Sequence, residues 1–405
     1  MVGTILGIVL ALVLHVAPGQ KIDEALQQAR EAYDRTGETT TIRIAPGTYQ
    51  EELTIDVPGL RLINASQHPS LGLQNHGVDA DKEAVRITWY YGHGYQYRSM
   101  GDTPNYGGRR TRRWNATVLV TAPDFYAEGI IFENSFNLYV SEREAADELV
   151  DISQSDLEWT EKERPQKTMP ERPKEVGSTE VQKKPYRERA AAISFTETAK
   201  RAHLRNCRAT GRQDVLYGDQ GATIYWEGGI LGGAVDFIFG AMTIAVDRAT
   251  IVANINGEKG DRCFIAAGRS GSDGNGERLA VSGERGMLFY KCHIRLATEE
   301  ELDISDQPSA ISDQPSPMVW LARPWRWWGE TVWAWTTWEE GILQTEAWST
   351  GLTKGKSCPN SYEYRSQDGS RGRPQWVTVL DRPALPDGTR LTPKAWLLKA
   401  KGERL

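Results

Sequence analysis

The sequence predicts an all-β solenoid, in which short strands wind into coils that stack on one another. Three observations carry this. Short alternating runs are separated by turn residues, strand-like runs recur at an interval in the low twenties, and one early segment alone has a convincing helical period. Strands this short cannot bury a core by themselves, so they must stack on repeating neighbours.

The helix comes first. Ile22, Ala25, Leu26 and Ala29 fall at i, i+3, i+4 and i+7, giving one apolar face that ends around Asp34 to Gly37. Strands and turns follow: Thr41-Ile42-Arg43-Ile44, then Pro46-Gly47; Leu53-Thr54-Ile55, then Pro58-Gly59; then Leu60-Arg61-Leu62-Ile63. Two stretches break the rhythm. Residues 92–115, rich in Gly, Tyr and Arg, read as a long loop, and the charge-dense, apolar-poor residues 141–189 as an inserted loop or flap rather than a domain. The tandem Ile304–Ser309 and Ile311–Ser316 reads as a duplicated surface loop.

Before the helix, Ile5 to Val16 is apolar but too short for a membrane span of about 20 residues. Residues 1–17 read either as a leader for export or as the first strand of the fold. The balance falls on export, although no Lys or Arg precedes the stretch and Pro18 follows a poor cleavage site. Residues 18–405 are expected to form one β-helix domain carrying both insertions.

Composition is that of an ordinary globular chain, with 39% hydrophobic and 25% charged residues. The net charge of −6 argues against a nucleic-acid partner. Cys207, Cys263, Cys292 and Cys358 show neither a CxxC pair nor zinc spacing, and read as buried free thiols. Asn64-Ala65-Ser66 and Asn115-Ala116-Thr117 match the glycosylation sequon.

The chemistry concentrates between Arg189 and Ile251, which contain RAAAISFTE, NCRATGRQDVLYG, GGAVDFIFG and TIAVDRATI. Asp214 and Asp236 are one coil apart, so they should lie on adjacent strands about 4.8 Å apart, with Arg189 and Gln213 on the same face. Two carboxylates that close push their pKa values apart, giving one protonated acid and one charged nucleophile or base. Asp219, Asp247 and Asp261 read as turn holders. Asp236 does not, because Val235 and Phe237-Ile238-Phe239 around it are strand formers and an unpartnered charge there is costly.

GRQDVLYG, GGAVDFIFG and LARPW resemble the three signature segments of the pectinesterase family, in the family's order. APGTYQEELTI resembles its early strand pair and FYAEGIIFENSFN the segment before the active coils. GMLFYKCHI and GILQTEAW resemble later coils, and SYEYRSQDG the tail packed along the helix. The resemblance runs from about residue 18 to about 390, apart from the insertions.

This resemblance implies a single-stranded, right-handed parallel β-helix, secreted or in the cell envelope and expected to be a monomer. It would hydrolyse methyl esters of polygalacturonate (pectin) without metal or cofactor. Asp236 would be the nucleophile, Asp214 the proton donor and acceptor, Gln213 the oxyanion donor and Arg323 the partner of Asp236. Trp325, Tyr217, Val235 and Phe239 would line the cleft. Tryptophans crowd the stretch from Trp320 to Trp338; Trp325 and Trp348 are expected in the cleft and most others in the core or at its rim, with Tyr90, Tyr91, Tyr95 and Tyr97 as candidate groove residues.

Arg189 departs from the family pattern, which often has a second oxyanion-donating glutamine there. It has three readings: a stronger oxyanion donor, a contact for a neighbouring uronate carboxylate, or a salt bridge to Glu188 or Asp214. A tight pair with Asp214 would depress that carboxyl and spoil its acid role. The alternative to an active esterase is a β-helix of the same ancestry that binds a polysaccharide or cleaves a different ester. A lyase or polygalacturonase fits less well, because the aspartates come one per coil and do not cluster for Ca²⁺ or stand apart to admit a water.

Overall fold

The computed structural model describes residues 11–73, 82–101, 115–151, 170–255, 261–270, 284–302, 319–367 and 372–399. The duplicated Ser-Asp-Gln-Pro loop lies outside them. The chain is an all-β parallel β-helix, as the sequence predicts. Three parallel sheets run its length, and each complete coil gives one strand to each.

The first sheet has eleven strands, from Leu12–Val16 to Thr378–Val379. The second has eight, from Gly47–Gln50 to Thr337–Trp338. The third has seven, from Leu53–Ile55 to Val319–Ala322. Within the first sheet, alternate residues face inward and stack in register. Leu204, Trp226, Val246, Phe289 and Trp333 form one such file, all fully buried. The Phe289 and Trp333 rings stack with centroids 3.9 Å apart. A large apolar side chain so buried contributes about 1.5–3 kcal/mol, which lets short strands hold together.

Coils turn sharply from the first sheet to the second through a left-handed residue, with a second one at Gly229 in one coil. Gly129, Asn206, Gly228, Arg248, Lys291 and Trp335 fill this corner in successive coils, all at positive φ. At Gly228 a Cβ would come within 2.5 Å of the Asn206 side-chain oxygen.

The predicted helix spans Ile22–Thr36 and ends on Gly37 at φ 70°. Its N-terminus is capped from outside: Glu51 accepts the Ile22 and Asp23 amides at 2.8 and 3.0 Å. Of the two readings of the preceding stretch, the first-strand one describes Leu12–Val16, which pairs in parallel with Thr40–Ile44. No helix among the described residues is long and apolar enough to cross a membrane.

Other expectations change. SYEYRSQDG does not begin a packing tail, because Ser361–Tyr364 is a strand of the first sheet. The segment that covers that sheet's outer face comes later, bringing Leu385, Leu391 and Trp396 against Ala245, Leu288 and Val332. Both sequon asparagines are buried. Asn64 spends its side-chain amide on the carbonyls of Glu83 and Gly129. All four cysteines are buried and unbridged, as expected. Burial pushes the Cys207 and Cys292 thiols up to about 12, so neither is a thiolate at neutral pH.

The described parts of the two insertions fold against each other rather than hanging as loops. Gln96–Tyr97 pairs antiparallel with Leu149–Asp151. Tyr90, Tyr91, Tyr95 and Tyr97 form a small core with Phe136 and Ala190, so they are interior residues; Tyr97 borders a pocket with Glu144 and Arg172, away from the two aspartates. Their hydroxyls find acids, Tyr97 the buried Glu144 (2.8 Å) and Tyr90 the half-buried Asp147 (2.6 Å). Arg172 pairs with Glu144 and lies 3.7 Å from the centre of the Phe136 ring.

Candidate active site

The third sheet carries the site. Leu216 pairs with Ile238 and Tyr217 with Phe239, the 22-residue step expected for Asp214 and Asp236. Gln213, ahead of the strand Leu216–Gly218, bridges to Val235, the first residue of the strand Val235–Gly240, and the Asp214 amide donates to the Val235 carbonyl at 3.0 Å. Asp214 and Asp236 both sit at positive φ, 60° and 48°. The backbone therefore bends at the same place in consecutive coils. Such conformations cost on the order of 1 kcal/mol each, and the surrounding ladder holds them.

Asp236 is clamped. Arg323 donates to it through Nε (2.6 Å to Oδ1) and Nη2 (2.7 Å to Oδ2), a bidentate pair. The arginine follows the last strand of the sheet, its amide donating to the Ala266 carbonyl at 2.9 Å. Its guanidinium lies 4.0 Å from the centre of the Phe264 ring, which stacks on Trp320 at 4.8 Å. The clamp is held between an acid and an aromatic floor. Side-chain exposures of 14% for Asp236 and 20% for Arg323 leave this edge open to a small ester.

Asp214 is more enclosed, at 6% exposure. Burial raises its carboxyl well above the usual range; Arg189 opposes the rise and Asp236 adds to it. Burial raises Asp236 too, but the Arg323 charge and its hydrogen bonds oppose it. The two acids are thus differentiated by their partners. Arg189 lies only at the edge of an ion pair with Asp214, Nε to Oδ2 at 4.0 Å. The tight pairing that would have spoiled an acid role for Asp214 is not formed. Along the strands the step at this coil is one residue shorter than Arg189 to Gln213 suggests: Ile193 pairs with Leu216, and Ala190, not Arg189, bonds to Gln213.

Beside the acids runs a wall of rings. Tyr217 and Phe239 are 4.8 Å apart, and Phe239 and Trp325 are 6.2 Å apart. Val235 is partly exposed at the same level. Sequence reasoning missed Arg269, which lies 5.4 Å from the Trp325 ring with Arg326 at 5.5 Å, and it missed the Phe264–Trp320 floor. A ladder count places Arg269 one residue beyond the strand Cys263–Gly268, where a side chain can face the cleft.

Trp348 is a correction. It is buried to 1% exposure and donates through Nε1 to Glu363 at 2.7 Å. Glu363 also holds Arg373, so the indole belongs to an interior bracket where its N–H has its partner. Asp261 is a second correction. It holds no simple turn, because its carboxylate lies between Arg187 and Arg212 at 2.6 and 2.9 Å.

A parallel β-helix with an arginine-clamped aspartate beside a second, enclosed aspartate places the chain among β-helix proteins built around a two-carboxylate site. The family model described as Pectinesterase matches residues 180–369. The likeness to the pectinesterase family expected from the sequence is borne out. Pectinesterase 4 of Arabidopsis thaliana is 29% identical over 221 residues, which cover 53% of this chain and 33% of that protein. The chain thus spans about a third of that relative's length. Among solved structures, the pectin methylesterase of Aspergillus niger has a TM-score of 0.57 at 20% identity, covering 95% of this chain and 94% of that one. The pectin methylesterase from carrot has a TM-score of 0.59 at 16% identity, covering 96% and 93%. These two likenesses are of fold.

Proposed function

We propose that the chain is a carboxylic ester hydrolase that removes methyl groups from polygalacturonate. One observation carries the reading: two enclosed carboxylates one coil apart, one clamped by Arg323 and the other raised by burial. A secreted or cell-envelope location and a monomeric state are part of the proposal, as is a methyl-esterified pectin chain lying against Trp325, Tyr217 and Phe239.

An Oδ atom of Asp236 attacks the ester carbonyl and forms a tetrahedral intermediate. The Gln213 amide donates to its oxyanion, an interaction typically worth about 3–4 kcal/mol of barrier. Collapse breaks the bond to the methoxy oxygen, which leaves as methanol with the proton from Asp214. Asp214, now ionised, takes a proton from water as that water attacks the acyl–Asp236 anhydride. The uronic acid departs and gives its proton to solvent, Asp236 is again a carboxylate, and Asp214 again holds a proton.

The test is methanol release from methylated pectin. Wild type turns over, and Asp214→Ala loses about a hundred- to ten-thousand-fold in kcat, the usual range for removing a general acid–base. Tight pectin binding by a wild type without turnover would replace this reading with that of a binding protein. Full activity of Asp214→Ala would remove the acid from the mechanism.

Arg189 tunes that acid. Its charge favours the ionised form of Asp214, so its loss raises the carboxyl further. The reaction needs the protonated form first, so Arg189→Gln should hold activity to higher pH. A pH–rate profile of kcat/KM checks this. A descending limb that stays in place or moves to lower pH would show that Arg189 does not act on Asp214.

A further inference from the structure

Arg187, Asp261 and Arg212 form a buried group that the reaction does not use, and it lies under the parts of the chain that hold the site. The Asp261 carboxylate accepts from Arg187 at 2.6 Å and from Arg212 at 2.9 Å, and the side chains of Asp261 and Arg212 are fully buried. Arg187 also donates to the Gln182 carbonyl at 2.8 Å, while Arg212 reaches the side chains of Gln182 and Asn254 at 3.3 and 3.4 Å.

Each member stands next to site residues in the chain. Arg187 begins a short strut ending at Arg189. The Asn137 side chain brackets Glu188 in this strut, accepting from its amide and donating to its carbonyl, and the Arg189 carbonyl accepts from the His93 amide at 2.8 Å. Arg212 immediately precedes Gln213 and Asp214, and its carbonyl accepts from the amides of Ala234 and Val235 at 2.7 and 2.9 Å, directly before Asp236. Asp261 leads into the strand Cys263–Gly268, whose Phe264 supports the Arg323 guanidinium. One carboxylate therefore ties together the supports of Arg189, of Gln213–Asp214 and of the Asp236–Arg323 clamp.

We propose that Asp261 is a positioning residue for ester hydrolysis, acting through Arg187 and Arg212 to fix the oxyanion donor and the acid–base relative to the nucleophile. The role rests on the function proposed above. Displacements near 1 Å at a reacting centre cost on the order of a hundredfold in rate, so Asp261 need not touch substrate to matter. Its loss would also leave two buried guanidiniums sharing no carboxylate, which favours a shift of both segments.

The experiment compares Asp261→Asn with Asp247→Asn. Asp247 is likewise buried and paired, with Tyr225 and Arg248, but belongs to the first sheet. Both are assayed for methanol release and for titration of the Asp214 carboxyl by carbon-13 NMR, assigned with Asp214→Asn. The expected result is a kcat about a hundredfold lower in Asp261→Asn, with KM within threefold and a displaced Asp214 titration, while Asp247→Asn changes neither. A kcat within threefold of wild type, an equal loss in Asp247→Asn, or an unmoved Asp214 titration overturns the proposal. Should Asp261→Asn fail to fold, Arg187→Gln keeps the Arg212–Asp261 pair and should show a smaller loss of the same kind; none would overturn the proposal. A wild type that releases no methanol refutes the functional reading alone, and the Asp214 titration then decides the positioning role.

Discussion

Asp236→Ala removes the nucleophile of the proposed mechanism, and methanol release should fall about ten-thousand-fold or more. The loss should lie in kcat, since the ring wall of Tyr217, Phe239 and Trp325 remains to bind the sugar. Asp236→Asn is the companion variant. It keeps the shape and an oxygen facing Arg323, yet an amide is a poor nucleophile, so it should be almost as inactive. It also avoids placing alanine at φ 48°, a backbone region that costs on the order of 1 kcal/mol. Stopped-assay methanol measurement with both variants suffices, and appreciable turnover in either would sink the covalent mechanism.

The second large effect is expected for Arg323→Ala. Burial pushes the Asp236 carboxyl up, and the Arg323 charge and bidentate bonds oppose that. Without them the carboxyl holds its proton to higher pH, and a protonated nucleophile does not attack. Activity at neutral pH should fall about a hundred- to thousandfold, with the ascending limb of the pH–rate profile displaced upward and part of the activity recovered under alkaline conditions. Stability should drop by about 1–3 kcal/mol, the cost of leaving one partner of an enclosed hydrogen-bonded pair alone. Arg323→Lys should restore much of the charge effect but not the two-pronged geometry. An ascending limb that does not move in Arg323→Ala would refute the idea that the arginine keeps Asp236 ionised.

The coil step was legible because strand formers flank both aspartates, so counting from Asp214 to Asp236 needs no knowledge of the loops between. The Arg323 clamp was not countable in that way. The residue pairs with a position 87 earlier, across intervening coils of unequal length, and only the resemblance of LARPW to a family segment pointed to it. Asp261 failed for a related reason. Its neighbours read as a polar turn, while its partners lie 74 and 49 residues away. Trp348 and the insertion tyrosines failed differently. An amphipathic ring satisfies the same local pattern whether it faces a sugar or an acid of the protein, and here Glu363, Glu144 and Asp147 took the polar ends.

A column of coils in which each touches chiefly the next behaves like a zipper with two ends, and the ends here differ from the middle. The helix Ile22–Thr36 sits on the first coils, whereas the segment carrying Trp396 lies across the inner strands Thr223–Glu227 and Thr243–Asp247, and Asp214 and Asp236 lie well inside the stack. Opening from either end must peel away several ladders before the acids lose their frame. The frame around the two aspartates should therefore outlast fraying of the end coils.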